Sequence, residues 1–235
     1  MPLSNQDKTI LRTSAGDFPL NQYCLRTNGR EWKILHVSNV LSHEEEAKFL
    51  LELSELLPYG VTLWTAAIAL AHDVAARGAP FGGAARVLEL GSGTGMPGIV
   101  AASHGARVVQ TDRNELAMSV CKRNIALNDV ETIEQRVVDW TDWNDAGKYD
   151  WILGSDILYG KDMHPHLRRI FESNLAPGGR VLLSDPFRST SFNLLEALEA
   201  DGWSIKISKW SIGEESALRP IGVFELSPPS AAMAK

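Results

Sequence analysis

The 235-residue chain has little cysteine, no excess of positive charge and no long apolar run. Its two cysteines, Cys24 and Cys121, stand alone without metal-ligand spacing. That excludes a disulfide framework or a zinc module and suits reduced thiols. Lys and Arg total 23 against 29 Asp and Glu, a formal net charge of −6, so a long nucleic-acid footprint lacks its electrostatic basis. The longest apolar stretch, Val61 to Ala76, is broken by Thr62, Thr65, His72 and Asp73 and is too short and polar for a bilayer. The N-terminal residues to Phe18 carry no apolar signal-peptide core. A cytoplasmic protein without a membrane partner is expected, its oligomeric state open.

Hydrophobic residues make up 44% and charged residues 22%, ordinary for one large α/β domain with a full core. The densest signal is Val87-Leu88-Glu89-Leu90-Gly91-Ser92-Gly93-Thr94-Gly95-Met96-Pro97-Gly98. It is a buried-strand pattern that ends in a glycine-rich turn and enters an apolar helix. Such a turn admits a ligand close to the backbone, and the helix start offers free N–H groups. Asp112 closes the next strand, where an adenosine ribose needs a carboxylate.

From Ala85 onward strands and helices alternate. Strands are read at residues 86–90, 107–111, 134–139, 151–155, 181–184, 204–209 and 222–226, with helices at about 97–104, 115–127, 163–175 and 192–200. The expected fold is a Rossmann-like doubly wound α/β sheet of seven strands, mostly parallel. The link from Trp210 to Pro220 is too short for a helical crossover, so the last two strands form an antiparallel pair. Upstream, Asn28-Gly29 predicts a β-hairpin within 23–40. Ser42 with Glu45 predicts a capped helix to about Leu57, and a second helix runs from about Leu63 to Ala76. Residues to about Leu20 read as mobile. The division expected is an N-terminal extension, hairpin and helix over 1–56, a cofactor-binding domain over 57–226 and a disordered tail over 227–235.

The glycines read two ways. Gly93-x-Gly95-x-x-Gly98 satisfies the dinucleotide fingerprint of a nicotinamide enzyme. Glu89-x-Gly91-x-Gly93-x-Gly95 instead places a carboxylate at the strand tip, which welcomes a cationic, amino-bearing ligand and repels a pyrophosphate. Asp139-Trp140 at the third strand end offers a carboxylate for an adenine amino group and a ring to stack on it. Together with the antiparallel finish, this constellation resembles the class I, seven-strand S-adenosylmethionine-dependent methyltransferases over roughly Leu57 to Leu226. The resemblance implies S-adenosyl-L-methionine as cofactor, no metal, and Trp64, Glu89, Gly91, Gly93, Gly95, Asp112, Asp139, Trp140 and Ser155 as its contacts.

Three further matches narrow the group. Asp156-Ile157-Leu158-Tyr159 is similar to the Asp-x-x-Tyr motif after strand four in the protein-lysine methyltransferases and their bacterial relatives. Gly60-Val61-Thr62-Leu63-Trp64-Thr65-Ala66-Ala67 resembles their Gly…Leu-Trp-x-Ala-Ala helix, and Asp185-Pro186-Phe187-Arg188 their Asp-Pro-x-Arg. The resemblance implies N-methylation of an amine, foremost a protein lysine. Asp156 is expected to orient the amine and accept its hydrogen bond or proton, Tyr159 to line the channel, and Trp64 to wall the cofactor. A nicotinamide-like small amine is the alternative acceptor, and an NAD-dependent oxidoreductase the alternative enzyme. A small-molecule enzyme needs a closed lid, for which residues 1–40 are available; a protein enzyme leaves a groove open at Asp156. The His164-Pro165-His166 run reads as a loop entering a helix.

Overall fold

The computed structural model describes residues 9–40, 43–213 and 218–229. Ser42, read as a helix cap, and most of the expected tail lie outside them. In chain order the elements are β1 (Ile10–Thr13), β2 (Gly16–Pro19), β3 (Asn21–Thr27), β4 (Arg30–His36), β5 (Ser38–Val40), α1 (His43–Glu52), β6 (Thr62–Trp64), α2 (Thr65–Arg77), β7 (Arg86–Leu90) and α3 (Met96–Ser103). Then follow β8 (Arg107–Asp112), α4 (Glu115–Leu127), β9 (Ile133–Val137), β10 (Tyr149–Ser155), α5 (His164–Asn174), β11 (Leu175–Asp185), α6 (Ser189–Ala200), β12 (Ser204–Ile212) and β13 (Arg219–Ser227).

Seven strands form the main sheet in the order β12-β13-β11-β10-β7-β8-β9. The last two strands pair antiparallel as expected, and β13 also pairs antiparallel with β11, lying between β11 and β12. The central strands are buried on both faces and read as continuous apolar runs. Alternate residues feed two layers. Val87, Trp151, Leu153 and Leu182 pack with α2 and α3, while Leu88, Leu90, Ile152, Val181 and Leu183 pack with α5 and α6. The chain enters at β7, moves out through β8 and β9, and returns to β10 on β7's other side. The carboxyl ends of β7 and β10 therefore flank the topological switch point, where open α/β sheets bind ligands.

The N-terminal region is more ordered than its composition predicts. The Asn28-Gly29 hairpin forms β3–β4, with φ of 52° and 73° at the two turn residues. Residues 10–19, read as mobile, form the β1–β2 hairpin. Leu11 and Leu20 enter a third apolar cluster with Leu35, Val37, Val61 and Val120. Their wide sequence spacing hides this burial from any periodicity, because the hairpin alone brings them together. The second helix starts at Thr65, two residues later than expected, because Thr62–Trp64 pair parallel with β5.

Asn124 of α4 joins this region to the main sheet. Its amide accepts from Leu35 N–H at 2.6 Å and donates to the carbonyls of Leu35 and Thr94 at 3.0 and 2.9 Å. Asn128, one turn on, repeats the pairing on Lys33. Asn124 is wholly buried, so Asn124→Ala strands three backbone groups. A loss of about 3 kcal/mol is expected, read by thermal unfolding as a Tm drop of roughly 6–12 °C.

Candidate functional site

The β7–α3 loop turns through left-handed backbone at Gly91, Gly93 and Gly95. Gly93 has φ +50°, and a Cβ there would sit 3.2 Å from the Gly60 carbonyl oxygen, so glycine lets this loop nest on the turn before β6. Its N–H donates to Asp112 Oδ2 at 3.0 Å, and Asp112 Oδ1 accepts from Asn114 N–H at 2.9 Å. Burial raises the Asp112 pKa against these bonds. The cap of α4 is Asn114, whose side chain accepts from Leu116 and Ala117 N–H.

A cavity of about 540 Å³ opens at the switch point. It is lined by Trp64, Gly91, Gly93, Asp112, Asp139, Trp140, Ser155, Asp156 and Tyr159. Nine of the eleven residues singled out from the sequence thus share one cavity. Glu89 and Gly95 do not line it. Glu89 is 1% exposed and lies behind the loop, where its carboxylate accepts from Gly98 N–H at 3.2 Å and Gln110 Nε2 at 2.6 Å. A Cβ on Gly98 would overlap that carboxylate, so the third glycine of the dinucleotide pattern makes room for Glu89. Gly95 caps α3 in the left-handed region, its carbonyl held by Gln110.

Burial raises the Glu89 pKa to about 7, partly offset by Gln110 and the Gly98 amide. A folded-state value above the unfolded one means the native carboxyl holds its proton longer. Its contribution is therefore greatest below the ordinary value of 4.5 and is lost as pH rises to about 7. At ~1.4 kcal/mol per unit the change is about 3 kcal/mol. Glu89→Gln is expected to flatten stability between those pH values, measured by urea unfolding at a series of pH.

Around Trp64 an aromatic wall forms. Tyr59 stacks on it at 6.0 Å, Phe49 meets it edge-on at 5.7 Å, and its indole N–H donates to the Tyr59 carbonyl. Asp139 accepts from the N–H and hydroxyl of Thr141, which lowers its pKa and caps the turn carrying Trp140. The β10 strand ends in Ser155, and Asp156 follows it in left-handed backbone at φ +55°. Asp156 N–H donates to the Ser184 carbonyl at 2.8 Å, and its carboxylate pairs with Arg188. Burial raises the Asp156 pKa to about 6, with Arg188 opposing and Asp185 and Glu46 adding. Three residues on, Tyr159 is 61% exposed at the cavity mouth. His164 Nε2 bonds the Leu158 carbonyl at 2.9 Å and ties this turn to α5.

Sequence reasoning gave no site role to Arg188, Glu46, Arg113 or Tyr59, all of which line the cavity. Arg188 stood within the Asp-Pro-x-Arg match, a usable signal. Glu46 had none, since it lies 142 residues from the Arg188 it contacts.

A family model described as lysine methyltransferase matches residues 43–193. The chain belongs to the lysine methyltransferase family. Among relatives of this family, the protein N-lysine methyltransferase METTL21A of Xenopus tropicalis is 34% identical over 137 residues, 56% of this chain and 63% of that one. The histone-arginine methyltransferase METTL23 of Xenopus laevis is 28% identical over 180 residues, 72% of each chain. Among solved structures, the ribosomal protein L11 methylase of Lactobacillus delbrueckii subsp. bulgaricus superposes with a TM-score of 0.53 at 27% identity, over 68% of this chain and 77% of that one. Family membership agrees with the expectation of a methyltransferase over a nicotinamide enzyme, whereas Glu89, expected to face the ligand, turns to Gly98 and Gln110 behind the loop.

Proposed function

We propose that this lysine methyltransferase family member is an S-adenosylmethionine-dependent N-methyltransferase acting on protein lysine. The observation that carries the reading is the single cavity joining the glycine loop to Asp156 and Tyr159. Its donor set fits the cofactor. The crowded glycine turn admits a ligand close to backbone, Asp112 suits a ribose, and Asp139 with Trp140 suits an adenine. Glu89 acts through the Gly98 amide and Gln110, setting the loop's shape without touching the ligand. S-adenosylmethionine, when bound, supplies a methyl group on a sulfonium, already activated for in-line transfer to a neutral amine.

The chain's residues then have three tasks. A lysine ammonium, with pKa of about 10.4, must lose a proton before it can attack. Asp156, at the carboxyl end of β10, accepts a hydrogen bond or proton from it and orients its lone pair. Tyr159 and Trp64 offer aromatic faces to the amine and its methyl groups, worth about 0.5–2 kcal/mol for a cation. The aromatic wall excludes water from the transfer.

A protein acceptor is favoured over a small amine by the mouth. Leu50, Tyr59 and Tyr159 line the cavity and are 46%, 48% and 61% exposed. None of residues 9–40 lines it; their hairpins pack elsewhere, so no lid comes from that segment. A rim of exposed apolar side chains suits a partner surface. Among the described residues no helix is long and apolar enough to cross a membrane. Cys24 and Cys121 are free thiols, which suits a cytoplasmic location.

Calorimetric titration tests the cofactor. Micromolar binding of S-adenosylmethionine and S-adenosylhomocysteine, with none of NADH, is the expected result; NADH binding alone would restore the dinucleotide reading.

A further inference from the structure

The end of β10 and the turn after β11 are locked together by one side chain that the sequence left without a task. Two non-glycine residues stand in left-handed backbone here, Asp156 at φ +55° and Phe187 at φ +61°. Such conformations persist only where surrounding structure holds them, and they gather at functional sites. Between them lies Arg188. Its Nη1 pairs with Asp156 Oδ1, and its Nη2 lies 3.4 Å from Asp156 Oδ2, a two-pronged grip on one carboxylate. The same Nη2 lies 3.5 Å from Glu46 Oε1 on α1.

Arg188 is itself anchored. Its backbone N–H donates to Asp185 Oδ1 at 2.6 Å, and the other Asp185 oxygen accepts from Ser191 at 2.6 Å. Glu46 is held from its far side by Arg219 Nη2 at 2.7 Å. The guanidinium therefore cannot swing freely, and Asp156 takes its orientation from it.

We propose that Arg188 is a positioning residue that sets the direction and charge of the Asp156 carboxylate, with Glu46 as its counterweight on α1. The inference rests on the reading of Asp156 as the carboxylate that receives the acceptor amine. Two oxygens gripped from one side leave the other side for the incoming ammonium. An arginine fork also keeps the carboxylate ionised in a buried place where it would otherwise hold a proton. The charged and titratable groups acting on Asp156 are Asp185 at the end of β11, Arg188 from the turn after it, Glu46 from α1, and Tyr159 on its own turn. Arg188 opposes protonation; Asp185 and Glu46 favour it.

The test needs no acceptor. Protein labelled with ¹³C at aspartate carboxyls, saturated with S-adenosylhomocysteine, is titrated by NMR, with the Asp156 signal assigned by its loss in Asp156→Asn. Arg188→Met is expected to raise the Asp156 midpoint by about 1–3 pH units, and Arg188→Lys to restore part of the difference. Glu46→Gln is expected to move it the other way, downward, and serves if Arg188→Met does not fold. Midpoints that stay within error of the parent in the folded variants overturn the proposal. Failure of the underlying reading shows separately, as undiminished methyl transfer by Asp156→Asn despite a midpoint that responds to Arg188.

Discussion

Replacing Asp156 with Asn is expected to lower methyl transfer about a hundredfold, within the range that positioned acid–base groups contribute, while S-adenosylhomocysteine affinity stays unchanged. The amide keeps the shape of the carboxylate beside Arg188 but cannot take a proton or pair with an ammonium. The pH profile separates this from a structural loss. Below about 6, the pKa to which burial lifts Asp156, the carboxyl still holds a proton that it must shed before it can take the amine's. A plot of log kcat/KM against pH then rises with a slope of about one below that value and levels above it in the parent, while in Asp156→Asn, whose amine must lose its proton to solvent, the slope of about one runs on through it without a break. Asparagine cannot titrate, so the acid break near the Asp156 value disappears with the side chain. A profile and rate identical to the parent would remove Asp156 from the chemistry.

Gly93→Val is expected to abolish measurable cofactor binding, a loss of a hundredfold or more. A side chain at φ +50° is strained by roughly 1–3 kcal/mol for a bulky residue, and its Cβ would crowd the Gly60 carbonyl at 3.2 Å. The loop must therefore pull away from Gly60, taking with it the N–H that Asp112 accepts. Loop and carboxylate would move together, because Asp112 is oriented by that bond. Far-ultraviolet circular dichroism should stay near the parent, since the core lies beneath the loop. Calorimetry reads the loss directly, and retained micromolar affinity would refute the cradle.

The difference between what was legible in the sequence and what was not follows the range of the interactions. The β7 strand, its glycine turn and α3 are specified by neighbours in the chain, and they stand where periodicity and glycine spacing placed them. So do the Asn28-Gly29 hairpin and the alternation of strands and helices after it. The insertion of β13 between β11 and β12 was not legible beyond the antiparallel pairing, because strand order is decided by which apolar faces meet. The β1–β2 hairpin was missed for the same reason, its burial resting on Leu35 and Val120 far along the chain.

The site divides in the same way. Residues at or just past strand ends, Asp112, Asp139, Ser155 and Asp156, were placed at one edge by topology alone. Glu89 also stands at a strand end, but its side chain points to Gly98 and Gln110 rather than into the cavity. Strand direction gives position; only the packing of α3 on β7 says which way the carboxylate turns. Arg188 and Glu46 complete the charge balance around Asp156 through contacts 32 and 142 residues apart, beyond the reach of any local pattern.

The central claim is methyl transfer to protein lysine, and labelled transfer tests it most directly. The protein is incubated with methyl-tritiated S-adenosylmethionine and cell lysate, the protein fraction is hydrolysed, and the amino acids are separated. Tritium in methylated lysine, lost with Asp156→Asn, is the result expected here. Tritium confined to small amines or to methylated arginine, or none above a control without enzyme, would contradict it.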